Sequence, residues 1–169
     1  MGTNHMGRQS IRFPQPPVVR GFASVAGKKE REGPLGDQFT ATVQDTTFGE
    51  KSWEQAERRM QQMTLELALE KAGLTDADLE AAFAGDLLNQ CIGSSFSLRN
   101  RGVPTLGLYG ACSTMAESLL LAAMSVSGGF ARTALAMTSS HFASSERQYR
   151  FPLGYGGQRT PTSQWTVTG

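Results

Sequence analysis

Residues 105–114 have the sequence Thr105-Leu-Gly-Leu-Tyr-Gly-Ala-Cys-Ser-Thr114. The mostly apolar first part predicts a strand from Thr105 to Tyr109. The small residues after it predict a sharp strand-to-helix turn, because they let the backbone bend closely. A helix is then predicted from about Ser113 to Ser127, and Gly128 and Gly129 end it.

Strands and helices alternate on both sides of this stretch. Further strands are predicted over residues 79–85 and 133–138, with a short helix over residues 94–100 and a long one over residues 53–72. The alternation predicts an α/β fold with a mainly parallel sheet flanked by helices and joined by right-handed crossovers.

The apolar spacing predicts which face of each main helix is buried. In the long helix, Ser52 is the predicted cap, Gln55 completes a capping box and Gly73 ends the helix. The predicted buried residues are Ala56, Met60, Met63 and Leu67 in this helix, and Met115, Leu119, Ala122 and Val126 in the helix after Cys112.

Polar or glycine-rich turns follow the predicted strands at residues 86–90, 110–114 and 138–141. Open α/β sheets bind ligands at the carboxyl ends of their strands, so these turns predict a small-molecule site. Cys112 lies where helix N–H groups and the positive end of the helix dipole would favour a thiolate, the nucleophilic form. The alternative is a small buried side chain that happens to begin a helix.

Composition excludes several classes of function. Sixteen Lys and Arg against fifteen Asp and Glu leave a net charge of +1, too little to organise nucleic acid or anionic lipid. The longest apolar stretch, Leu119 to Val126, is too short to cross a bilayer, and residues 1–16 lack the apolar core of a secretion signal. The spacing of Cys91 and Cys112 does not match a metal site, so neither a metal nor a cofactor is predicted. Cys91 is expected to have a structural role, and the protein is expected in a reducing compartment.

The two ends of the chain are interpreted separately. Residues 1–16 are predicted to be a cloning remnant, Met1 to Met6, and a disordered N-terminus, which leaves residues 17–169 as the domain. An apolar strand is predicted from Val18 to Ala26. Because residues 144–169 lack clear elements and stop as though a strand were beginning, the chain is expected to be truncated.

Residues 103–123 and 128–141 resemble the thiolase superfamily, whose members place an acyl-accepting cysteine in the turn that holds Cys112. A closer resemblance is to a thiolase-like family of bacterial sporulation proteins, components of the channel that moves dipicolinic acid into the developing spore. It rests on five motifs: Gly85-Asp-Leu-Leu-Asn-Gln90, Gly110-Ala-Cys-Ser-Thr114, Thr138-Ser-Ser-His141, Glu146-Arg-Gln148 and Tyr155-Gly-Gly-Gln158.

The resemblance implies an incomplete first βαβαβαββ half of a thiolase-like fold. The histidine and second cysteine that thiolases use as bases belong to the second half, so this stretch lacks them. The family also has a Glu before the Tyr-Gly-Gly-Gln motif, where this chain has Gly154. The resemblance implies a ligand-binding protein that reuses a thiolase pocket, and an active acyltransferase with Cys112 as its nucleophile stays the alternative.

Dipicolinic acid is a planar dicarboxylate, so the implied site needs N–H or cationic donors. Cys112, Ser113 and Thr114 can offer donors at the helix start, while Arg147 or Arg150 can pair with a carboxylate bidentately. The alternative for the arginines is a solvated helical turn with internal ion pairs.

Two other polar residues are candidate ligand contacts. Asn89 can touch the ligand or simply form its turn. His141 can act as a base or donate to a carboxylate, or it can cap a loop or meet a dimer partner.

The implied partners are dipicolinic acid and other membrane-bound channel subunits, with a homodimer when the protein is full length. The implied location is the cytoplasmic side of the spore inner membrane, as a peripheral protein.

Overall fold

A computed structural model describes residues 4–88, 91–141 and 143–144. Its central sheet has three parallel strands, β5 (Ala81–Gly85), β6 (Thr105–Leu108) and β7 (Ala134–Thr138), in the order β6-β5-β7. The last residue of β5, Gly85, is in register with Leu108 at the end of β6 and Thr138 at the end of β7. The predicted α/β class with a parallel sheet is confirmed, and all three strands end in one row.

The longest helix, α2, covers Trp53–Ala72, as the sequence predicted. The Ser52 hydroxyl accepts a hydrogen bond from the Gln55 backbone N–H, and Gly73 ends the helix in the left-handed conformation at φ 65°. Its buried face differs partly from the predicted one. The buried residues are Ala56, Glu57, Met60, Gln61, Leu65 and Leu69, whereas Met63 and Leu67 are only partly buried.

Helices α3 (Ile92–Leu98) and α4 (Thr114–Ser127) follow β5 and β6. The predicted inward stripe of α4 is wrong at Met115 and Leu119, which are exposed, whereas Ala122 is buried and Val126 is partly buried. The buried line is Thr114, Ser118 and Ala122. These small side chains let α4 approach β5 and β7 closely, whereas Met115, Leu119, Leu120 and Met124 are exposed.

Short elements precede α2. Strands β1 (His5–Met6) and β2 (Ser10–Ile11) form an exposed antiparallel pair, and β3 (Val25–Ala26) pairs in parallel with β4 (Ala41–Thr42). The short helix α1 (Lys28–Arg31) and a 3₁₀ turn (Gly36–Gln38) separate β3 from β4.

The predicted strand over residues 18–26 is therefore confined to its last two residues. Among the described residues, no strand pairs with residues 18–24. Val18, Val19 and Phe22 are exposed. Gly21 instead lies against the Ala68 carbonyl near the end of α2.

The apolar core fills the space between the sheet and the C-terminal half of α2. Its members are Leu65, Leu69, Leu79, Ala82, Ala84, Leu98, Val103 and Met137. The core leaves the carboxyl ends of the strands to polar residues.

Within the described ranges, no helix has the length and apolarity that a membrane crossing requires.

Candidate ligand site at the carboxyl ends of the strands

Cys112 lies in the turn between β6 and α4. A short 3₁₀ turn covers Ala111–Ser113, and α4 begins immediately after it. Ala111 has a left-handed φ of 49°, an uncommon conformation for a residue with a side chain. The Cys112 thiol is free and the residue is exposed. The structure therefore presents the thiol at the surface rather than in the core.

Contacts inside the turn fix its shape. The Gly110 N–H donates to the Thr114 hydroxyl at 3.1 Å, and the Ser113 N–H donates to the Gly110 carbonyl at 3.0 Å. Thr114 is only 1% exposed, so its side chain supports the turn from inside. Of the three predicted contacts in this motif, Cys112 and Ser113 are open to solvent and Thr114 is not.

Glu117 adds a negative charge to this turn. The sequence-based prediction of the site did not include this residue. Its carboxylate accepts a hydrogen bond from the Ser113 hydroxyl at 2.5 Å. It also packs against Gly110, where an added Cβ would lie 2.5 Å from Glu117 Cδ. An acidic side chain in the first helical turn offsets the positive end of the helix dipole. The turn is thus less attractive to an anion than Cys112, Ser113 and the helix start alone suggest.

His141 follows β7 and is 3% exposed. Its Nδ1 accepts a hydrogen bond from the Ala143 N–H at 3.2 Å, so the proton of the neutral ring is on Nε2. Nε2 lies 2.7 Å from the Thr46 carbonyl oxygen and donates to it. The ring also contacts Trp53, with 5.6 Å between ring centroids. These contacts match the loop-capping alternative for His141; its role toward a ligand remains a prediction.

The burial of His141 makes stability depend on pH. Burial lowers the pKa of His141, although the Thr46 hydrogen bond and the charge of Glu54 act in the opposite direction. The unfolded chain therefore takes up the proton first, and the free energy of unfolding should decrease as pH falls below about 6.5. We expect His141→Gln, whose amide can still bond to both backbone groups, to lose this dependence. Urea denaturation between about pH 5.5 and 7.5 measures it, and parallel curves for the two proteins would contradict the expectation.

A largely buried polar cluster, which the sequence did not predict, lies beneath the turns. We call Glu57, Gln61, Asp86, Ser94, Ser97, Ser139 and Ser144 the polar cluster. Gln61 Nε2 donates to Ser139 at 2.7 Å and to Ser94 at 3.3 Å, while Gln61 Oε1 accepts from Ser97 at 2.7 Å. The side chain of Gln61, 1% exposed, therefore lies at the centre of the cluster.

Two buried carboxylates accept most of the remaining hydrogen bonds. Glu57, which is 0% exposed, accepts from the Ser139 hydroxyl at 2.6 Å and from the Ser144 hydroxyl. Asp86, 1% exposed, accepts from the Ser94 hydroxyl at 2.6 Å and the Ser94 N–H at 2.7 Å. Burial raises the pKa of Glu57, and the negative charge of Asp86 raises it further, against the lowering effect of the serine hydrogen bonds. Two cluster members, Asp86 after β5 and Ser139 after β7, lie in turns where the sequence predicts a ligand site.

Cys91 links the start of α3 to the end of β6. It is buried, has a left-handed φ of 53°, and its thiol donates to the Leu108 carbonyl at 3.1 Å. Burial raises the pKa of the Cys91 thiol, with a further contribution from Asp86, so the protonated form is favoured. This inert position fits the structural role expected of it. The other predicted contacts, Asn89, Arg147 and Arg150, lie outside the described residues.

Comparison with known proteins shows the family of this chain. The family model described as stage V sporulation protein AD matches residues 7–169. This chain belongs to the stage V sporulation protein AD family. A curated relative, stage V sporulation protein AD of Bacillus subtilis (strain 168), is 44% identical over 163 residues. The match covers 96% of this chain and 48% of the relative, so the chain spans about half of the relative's length.

Two solved structures resemble this member of the stage V sporulation protein AD family. The priming β-ketosynthase of the R1128 polyketide biosynthetic pathway has a TM-score of 0.51 at 16% identity, over 79% of this chain and 45% of that one. The 3-oxoacyl-(acyl carrier protein) synthase III of Xanthomonas oryzae pv. oryzae KACC10331 has a TM-score of 0.48 at 17% identity, over 69% and 41%. The first likeness concerns the fold alone and confirms the predicted thiolase-like class.

Proposed function

We propose that this chain is part of a sporulation protein that binds dipicolinic acid in a thiolase-like pocket around Cys112. In this proposal the protein belongs to the channel that loads dipicolinic acid into the developing spore. The observation that carries it is an exposed Cys112 turn at the aligned strand ends of a stage V sporulation protein AD family member. Because the three strands end in register, the three polar turns that follow them lie at one edge of the sheet, where α/β folds bind ligands.

The chemistry of the ligand decides which groups must meet it. A planar dianion needs hydrogen-bond donors and positive charge. The need for positive charge is greater here because Glu117 places a carboxylate on the Cys112 turn. The Ser113 hydroxyl is bonded to Glu117, so it can turn toward a ligand only by giving up that contact. Arg147 and Arg150 are proposed to supply the compensating charge, since a guanidinium fork matches a carboxylate bidentately. Asn89 is proposed as a further polar contact.

Calorimetric titration with dipicolinate tests the proposal. The titration uses a form of this protein that is as long as the Bacillus subtilis relative. We expect wild-type binding, and a loss of roughly tenfold or more in affinity for Cys112→Phe, because a bulky side chain would fill the pocket mouth. Ala77→Phe is the matched control, since Ala77 is an exposed residue in a 3₁₀ turn before β5, at the opposite edge of the sheet. Absence of binding to the wild-type protein would contradict the proposal. Equal effects of the two variants on affinity would show that Cys112 is not part of the site.

Acyl transfer is the second candidate function. It is favoured by the exposed Cys112 thiol and by the left-handed Ala111 before it, which together present a possible nucleophile at a constrained turn. His141, the predicted base, has both ring nitrogens bonded to backbone groups, which favours binding over catalysis. Mass spectrometry after incubation with acetyl-CoA separates the two: an acyl adduct on Cys112 supports transfer, and its absence together with dipicolinate binding supports the channel protein.

The proposal extends to assembly and location. In it, the full-length protein is a homodimer that works with membrane-bound channel subunits as a peripheral protein on the cytoplasmic side of the spore inner membrane. Strand β6 is an edge of the three-stranded sheet, and Leu106 on it is exposed, as is Leu119 on α4. Unpaired edges and apolar faces of this kind favour association. Sedimentation of the protein prepared for calorimetry reports whether two copies associate.

A further inference from the structure

The polar cluster joins two of the turns at the carboxyl edge of the sheet to one helix. Glu57 on α2 holds Ser139 and Ser144 in the turn after β7. Gln61, one helical turn further along, donates both to Ser139 after β7 and to Ser94 on α3. The same face of α2 therefore fixes segments that are far from it in the sequence.

A chain of contacts extends this link toward the Cys112 turn. Asp86 holds the start of α3 through Ser94, and an added Cβ on Gly93 would lie 3.3 Å from the Asp86 carboxyl. Cys91, just before α3, bonds to the carbonyl of Leu108. Leu108 is the last residue of β6. The cluster thus reaches the strand end from which the Cys112 turn begins.

The energetics indicate that this cluster does more than fill space. Among the residues that the structure describes, no ion pair neutralises Glu57 or Asp86. Burying two carboxylates is costly, and apolar side chains of similar volume would fill the same space at lower cost. What apolar packing does not provide is a fixed direction for each bonded hydroxyl and N–H. The cluster therefore specifies the conformations of the turns.

We propose that Glu57 and Gln61 are positioning residues for the ligand site: from beneath the sheet edge they hold the turns that surround the ligand, without touching it. This inference rests on the proposed binding of dipicolinate at that edge. Both residues are buried, at 0% and 1% exposed, so they act through the serines bonded to them. Sites held by such supporting residues lose affinity when the support is removed, even though every contacting group remains.

Three substitutions on α2 test the inference in protein of the relative's length. Glu57→Leu removes the acceptors for Ser139 and Ser144, and we expect roughly tenfold or greater loss of dipicolinate affinity. Glu57→Gln keeps one acceptor oxygen and adds a donor, so it should recover most of the affinity. Leu65→Ala is the control: Leu65 is 2% exposed and lies in the apolar core on the same helix, so we expect it to contribute to stability alone. Leu65→Ala should lower the urea concentration at which the protein unfolds and leave the dipicolinate affinity unchanged.

A second measurement does not require a ligand. Hydrogen exchange followed by mass spectrometry should show faster exchange over residues 139–144 in Glu57→Leu than in Leu65→Ala. Equal exchange and equal affinity in these two variants would overturn the inference, because Glu57 would then contribute only to stability. If the wild-type protein fails to bind dipicolinate, the proposed function fails, and faster exchange specific to Glu57→Leu would still establish that Glu57 holds the turn.

Discussion

Gly85→Ala is expected to destabilise the protein by about 3 kcal/mol or more, enough to prevent folding of a marginally stable domain. Gly85 is the last residue of β5, between β6 and β7. A Cβ added there would overlap the Leu108 carbonyl oxygen and lie 2.5 Å from Thr114 Cγ2. The carbonyl belongs to the backbone and cannot rotate away, so β5 and β6 would have to separate.

The control for this prediction lies in the neighbouring strand. Gly107→Ala places its Cβ 3.7 Å from the Cys91 sulfur, an ordinary van der Waals distance, and should change stability by less than about 1 kcal/mol. Urea denaturation followed by circular dichroism at 222 nm compares both variants with the wild type. If Gly85→Ala unfolds at the same urea concentration as Gly107→Ala, the close contact between β5, β6 and α4 is wrong.

The same contact matters for the candidate site. Thr114 begins α4 and accepts the hydrogen bond that closes the Cys112 turn. Since Gly85 allows Thr114 to approach β5, any Gly85 variant that does fold should also displace the turn. The position of the Cys112 thiol thus depends on a residue in a different strand, 27 positions earlier by the difference of the two residue numbers.

The elements of the fold were largely predictable from local signals. Helix α2 has its predicted bounds because Ser52 and Gly73 supply a cap and a stop that act within a few residues. The strands over residues 81–85 and 134–138 were also predicted to within two residues of their bounds, since each is a short apolar run beside turn residues. Local chemistry is sufficient where an element begins and ends by its own hydrogen bonds.

The faces of the elements were harder to predict. Helix α4 is apolar on more than one side, and periodicity does not say which side meets the sheet. The small residues Thr114, Ser118 and Ala122 are buried because they permit close packing, whereas Leu119 and Met115 are exposed. For residues 18–24, apolar composition did not suffice, because a strand also requires a partner.

The polar cluster could not be predicted from local sequence. Glu57 and Gln61 look like ordinary surface residues of an amphipathic helix. Their partners are distant: Ser139 lies 82 positions from Glu57, and Ser144 lies 87 positions from it. Only the packing of α2 against the strand ends brings these residues together. Sequence reasoning thus located the edge where ligands are expected, but not the residues that hold its shape.

Asp86→Ala is the second substitution with a large expected effect. It would leave the Ser94 N–H, the Ser94 hydroxyl and the Leu88 N–H without their acceptor in a buried place. Each unsatisfied buried donor costs free energy, and we expect a loss of about 3 kcal/mol in the free energy of unfolding. Urea denaturation measures the loss.

Asp78→Ala is the matched control, because Asp78 has nearly the same local chemistry at the surface. Its Oδ2 accepts from the Thr75 N–H at 2.7 Å and from the Thr75 hydroxyl at 2.8 Å, and the residue is exposed. In Asp86 one oxygen likewise accepts from the N–H and the hydroxyl of one residue, Ser94. Water can replace the lost acceptor at Asp78 but not at Asp86, so the surface variant should lose far less stability. Equal losses would mean that Asp86 is accessible to water.

Asp86→Ala also has a consequence at Glu57 that separates charge from hydrogen bonding. The negative charge of Asp86 contributes to the raised pKa of Glu57, so removing it should bring that pKa closer to its ordinary value. A raised carboxyl pKa makes the folded state hold its proton longer than the unfolded one, so stability falls as pH rises from the ordinary value through the raised one. In Asp86→Ala this decrease in the free energy of unfolding should be complete at a lower pH than in the wild type, even though the variant is less stable at every pH. An unchanged pH dependence in the variant would show that the charge of Asp86 does not act on Glu57, and that the two carboxylates are linked only by the hydrogen bonds that pass through Gln61.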